Sequence, residues 1–117
     1  MRFCTYCGSL SPSERIQKAA LKGHYACLLT ALHNKEPMTN DACTNAASAG
    51  YLNCLILLRD NKCPWDFRTL QMSWLLGYKI CFAWAHAHGC VCNGFVLEYD
   101  PLTTERILVK CPVCFCS

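Results

Sequence analysis

Charge is scarce in this chain. Asp, Glu, Lys and Arg make up 16% of its 117 residues, where globular chains usually carry about 25%. With 53% hydrophobic residues, intrinsic disorder is excluded, because disorder needs low hydrophobicity and high net charge. The net charge of +3 is too small by itself to mark a nucleic-acid binder. Five bases, Arg2, Arg15, Lys18, Lys22 and Lys35, lie in the first 36 positions against Glu14 and Glu36. A solvated helix face is the plain reading of that excess.

Catalytic signatures are missing too. No G-x-S-x-G, no phosphate-cradling glycine loop and no H-E-x-x-H occurs. The carboxylates sit singly at caps and turns, so no nucleophile, base and orienter converge and the chain is read as non-enzymatic. Residues 1–9 lack the apolar run of a secretory signal. The expected setting is therefore a reducing, intracellular compartment. The charge-free run Ile80 to Leu97 just reaches the minimum length of a membrane span. It contains His86, His88, Gly89, Asn93 and Gly94, and no membrane span is expected.

Cysteine is what the chain has in excess, at twelve residues. In a reduced chain these are core residues or metal ligands, and an internal repeat separates the two classes. Gly23, Gly50 and Gly77 are spaced by 27, as are Cys27, Cys54 and Cys81. Ala19, Ala46 and Ser73 form another column, and Leu28, Leu55 and Phe82 a fourth. Each unit reads as two short helices. Asp41 is the expected N-cap of the first helix in the second unit, and Gly50 ends it. Helices are expected at 15–22, 24–33, 41–49, 51–60, 68–76 and 78–87. One such pair cannot bury its own apolar face, so the units must stack. A β-hairpin is expected after them, from Phe95–Tyr99 and Arg106–Val109.

The run Ala46-Ala47-Ser48-Ala49-Gly50-Tyr51-Leu52-Asn53-Cys54-Leu55, with Asn61-Lys62-Cys63-Pro64-Trp65-Asp66, resembles the short ankyrin-like repeats of large DNA viruses and their protist hosts. The first unit matches through Ala19-Ala20-Leu21-Lys22-Gly23-His24 and Cys27-Leu28, and departs at Glu36-Pro37-Met38. The third is more degenerate, with Ser73-Trp74 and Val91-Cys92 in the motif positions. The resemblance covers residues 14–93. It implies protein–protein recognition without catalytic residues, in a larger assembly that would be viral, in host cytoplasm or virion. The fold class is thus mainly α in one domain: residues 1–13 a knuckle and linker, 14–93 three stacked ankyrin-like repeats, 94–117 a hairpin and second knuckle.

Six cysteines, Cys27, Cys43, Cys54, Cys63, Cys81 and Cys90, fall in repeat columns and read as small core hydrophobes. Cys4, Cys7, Cys92, Cys111, Cys114 and Cys116 remain. Cys4-Thr5-Tyr6-Cys7 and Cys111-Pro112-Val113-Cys114 are two C-x-x-C pairs, and two pairs complete the tetrahedron that zinc favours. Both resemble zinc-ribbon knuckles, so one structural Zn2+ on Cys4, Cys7, Cys111 and Cys114 is expected to tie the chain's ends, within one chain or between two. Cys92 and Cys116 are substitute ligands. His86 and His88 cannot share a helix face and are expected near solvent at a helix end. Cys-Pro-Val-Cys also resembles a glutaredoxin-type dithiol, but with only Phe115-Cys116-Ser117 after it no thiolate-stabilising helix is expected.

The third unit crowds Leu70, Met72, Trp74, Leu75, Leu76, Tyr78, Ile80, Phe82 and Trp84 around one charge, Lys79. Part of that excess is expected to form a protein-binding patch, with Trp74 and Trp84 as its anchors. Two alternatives stand beside an interaction or scaffolding module. One is a zinc-ribbon nucleic-acid or transcription-associated factor using Arg2, Arg15, Lys18, Lys22 and the knuckles. The other is an adaptor in protein degradation.

Overall fold

The computed structural model describes residues 3–113. Within them the chain forms α1 (Thr5–Gly8), α2 (Pro12–Lys22), α3 (Tyr25–His33), α4 (Asn40–Ser48), α5 (Leu52–Asp60), α6 (Phe67–Leu75) and α7 (Lys79–Ala87). The strands β1 (Phe95–Tyr99) and β2 (Arg106–Lys110) follow as an antiparallel pair, with Phe95 opposite Lys110 and Tyr99 opposite Arg106. No helix among the described residues is long and apolar enough to cross a membrane.

The repeating glycine sets the path of each unit. Gly23, Gly50 and Gly77 have φ of 72°, 80° and 85°, a left-handed conformation that side-chain-bearing residues avoid. Each ends a helix and turns the next residue's N–H back onto it. His24 donates to Ala19 O at 3.0 Å, Tyr51 to Ala46 O at 2.9 Å and Tyr78 to Ser73 O at 2.8 Å. The second helix of each unit starts at once.

Helices α2, α4 and α6 pack side by side, and β1 continues that layer beyond α6. Ala19, Ala46 and Ser73 are fully buried in it, where a small side chain lets neighbouring helices approach closely. Asn45 bridges two units, its Nδ2 donating to Gln17 O at 3.0 Å. Helices α3, α5 and α7 form the second layer, each packed on its own partner and more loosely on one another. Leu28, Leu55 and Phe82 are buried there with Cys27, Cys54 and Cys81. Cys54 is fully enclosed, and burial pushes its thiol pKa up to about 11. Such a thiol is a packing group and an inert one.

Capping differs from expectation at α4. The helix starts at Asn40 after Thr39, whose side chain makes no capping bond. Asp41 sits in the first turn and pairs with Arg68 at 3.1 Å. In the third unit Asp66 is the cap, accepting from Arg68 N at 3.0 Å.

The aromatic residue after each repeat glycine does a second job. A Cβ built on Gly23 would lie 2.6 Å from the Tyr51 ring, and one on Gly50 would lie 2.5 Å from the Tyr78 ring. Each tyrosine therefore rests on the bare backbone of the preceding unit's glycine. Gly77, the third socket, has no such neighbour within 4 Å.

Candidate metal centre

Helix α1 is one turn long, and Cys4 caps it by accepting from Cys7 N through its sulfur at 3.4 Å. The turn places Cys4 and Cys7 on one side. Opposite them stands the junction between α2 and α3, where Gly23 reverses the chain and leaves His24 and Cys27 in adjacent positions at the start of α3. The ligand atoms of Cys4, Cys7, His24 and Cys27 all lie within 4.8 Å of one another. His24 Nδ1 is 3.3 Å from Cys7 Sγ and 3.5 Å from Cys4 Sγ. Zn–S bonds near 2.3 Å and a Zn–N bond near 2.0 Å in a tetrahedron put N and S about 3.5 Å apart, so the spacing fits.

The surroundings suit thiolates. Cys4 N donates to Cys27 Sγ at 3.2 Å, so two of the three sulfurs accept a backbone N–H. The bond from Cys7 N lowers the Cys4 thiol pKa. Burial instead pushes Cys7 up to about 12; a bound cation would offset that cost and release the proton. Arg15 fixes the knuckle from behind. Its Nε donates to Cys7 O at 2.9 Å and its Nη2 to Leu10 O at 2.9 Å, while Nη1 meets both Glu36 oxygens at 2.8 Å. Its guanidinium also lies over the Phe3 ring, 4.1 Å from the centroid. A residue so fully engaged is not available to a phosphate backbone.

The structure divides the ligand set expected from the sequence. Cys4 and Cys7 join His24 and Cys27, and Cys111 is absent from that group. Cys111 is instead buried just after β2, grouped with His86 and Cys92. Cys114 lies outside the described residues. Among the described residues of one chain, Cys4 and Cys7 belong to one cluster and Cys111 to another. The reason is packing: α1 lies on the first unit, while β2 delivers Cys111 to the third. Cys27 is buried in the core as expected and also belongs to the first cluster. One signal for the missed pair was in the sequence, because His24 occupies a column that reads Tyr51 and Tyr78 in the other units.

His86 also departs from expectation. It faces Cys92 and Cys111, whereas His88, exposed, stacks on Trp84 with centroids 4.0 Å apart. Both expected anchor tryptophans are half-buried and engaged within the chain. Trp74 donates from Nε1 to Glu98 of β1 at 2.9 Å and packs on Phe82 with centroids 4.9 Å apart. Trp84 lies edge-on to Trp65 at 6.0 Å. The exposed apolar side chains of the third unit are Phe67, Leu76, Tyr78, Val91 and Ile80, the last 73% exposed. Tyr78 and Ile80 line a cavity of about 410 Å³ with Gly50, Leu52, Gly77 and Cys81.

The chain matches no protein-family model, no curated protein and no solved structure.

Proposed function

We propose that the chain is a non-enzymatic interaction module, an ankyrin-like stack whose first unit is locked by zinc on Cys4, Cys7, His24 and Cys27. Three sulfurs and one imidazole form a closed tetrahedral set that suits zinc in a structural role. A closed set leaves no position for substrate, so the ion supplies folding energy and no catalysis.

The observation that carries the interaction reading is the third glycine socket. Twice in this chain a glycine between paired helices receives an aromatic ring from the next unit. The socket at Gly77 repeats that backbone shape, has no neighbour within 4 Å and is edged by Tyr78 and Ile80. An aromatic or aliphatic side chain presented by a partner protein fits it. The nucleic-acid alternative is weakened by the internal engagement of Arg15, and no feature of the described surface favours the degradation adaptor.

A photo-crosslinking residue at position 80 in the source cell identifies the partner, with position 102, 91% exposed on the hairpin tip, as the control. Titration of the purified partner then measures what the socket contributes. Ile80→Asp should weaken binding at least tenfold while helicity and metal content stay unchanged. Identical crosslinks from both positions, or unchanged affinity, would overturn the reading.

A further inference from the structure

We propose that His86, Cys92 and Cys111 form a second metal centre, independent of the first, which takes zinc and fastens the hairpin to α7. The three ligand atoms lie within 4.8 Å of one another. They come from three places in the chain: the last turn of α7, the loop after it, and the residue after β2. Nothing in the sequence between them forces that meeting; the fold brings them together.

The local backbone is built to hold the sulfurs side by side. Gly94, at φ 87°, turns the chain into β1, and its N–H donates to Cys92 Sγ at 3.4 Å. Its carbonyl accepts from Cys111 N at 2.8 Å. One residue therefore positions both cysteines, and it supplies an N–H to a sulfur as Cys7 does at the first centre. Cys111 is fully buried, and Cys92 and His86 are half-buried, so an ion there would be shielded yet reachable.

The core cysteines provide the contrast. Cys54 and Cys81 are buried like Cys111, but neither belongs to a group of three ligand atoms within reach of a common ion. Among the described residues only two such groups occur, one on the first unit and one on the third. Two sulfurs and one imidazole supply three protein ligands there. Thiolates with imidazole select zinc over the oxygen-seeking divalent ions.

The test is metal stoichiometry of the full chain, purified with zinc present and measured by native mass spectrometry. The expected count is about two zinc per chain. His86→Ala and Cys92→Ser should each remove about one and leave the ion that Cys4→Ser removes. Cobalt substitution keeps the test open if a variant is fragile: the thiolate-to-cobalt absorption of the first centre reports that the rest of the fold is intact. A wild-type count of one that Cys4→Ser abolishes would overturn the second centre and leave the first standing. A count of one abolished by His86→Ala, and kept in Cys4→Ser, would do the opposite.

Discussion

Gly50 and Gly77 have nearly the same backbone and different neighbours, so they separate two effects that usually come mixed. A side chain at either position must adopt positive φ, at a cost of roughly 1–2 kcal/mol. At Gly50 the new methyl would also meet the Tyr78 ring at 2.5 Å, and at Gly77 it would meet nothing. Gly50→Ala should therefore destabilise the chain more than Gly77→Ala. Urea unfolding of the two variants measures the difference, and equal losses would show that the ring contact is soft. The same comparison bears on the open socket, because Gly77→Ala fills it and should weaken partner binding with a smaller loss of stability.

Among the helices described, α1 is the shortest. A single turn lies far below the length at which a helix is stable in water. It is held by Arg15, by the Phe3 contact and by the cluster formed with His24 and Cys27. Removing metal should release it. Hydrogen exchange with and without a zinc chelator should show the Cys7 and Gly8 amides losing protection, while those of α5 are unchanged. Equal protection in both conditions would mean that Arg15 alone fixes the knuckle. The hairpin is held by packing as well, since Val96 is buried and Glu98 accepts from Trp74. It closes the first-helix layer beyond α6 and leaves the start of α7 open.

At the scale of the molecule the helix pairs lie in order, with α4 packed against both α2 and α6. The middle unit joins the two ends, so damage there should be felt throughout. Leu55 is fully buried in α5, and Leu55→Ala should cost about 2–5 kcal/mol through the cavity it leaves. The loss should appear in one cooperative transition seen alike by tryptophan fluorescence, which reports the third unit and its junction with the second, and by far-ultraviolet circular dichroism. Two separate transitions would mean that the units fold independently.

The 27-residue period by itself determined the helix pairs, their glycine stops and the buried column of Leu28, Leu55 and Phe82. Those features depend on local conformation and on periodicity, which a chain carries in its residue order. The expected and observed helices differ by at most three residues at either end for this reason. The hairpin was legible likewise, from two β-prone runs about a turn at Asp100-Pro101. Metal grouping was not. C-x-x-C spacing marks Cys4 and Cys7 as a pair but is silent on which residues face them. Position in the repeat assigned Cys27 to the core, and the burial was right while the second role was invisible. Only the packing of α1 on the first unit, and of the hairpin on the third, decided that His24 completes one cluster and His86 begins another. Ligand sets are made of side chains distant in sequence, and their distances exist only once the helices have stacked.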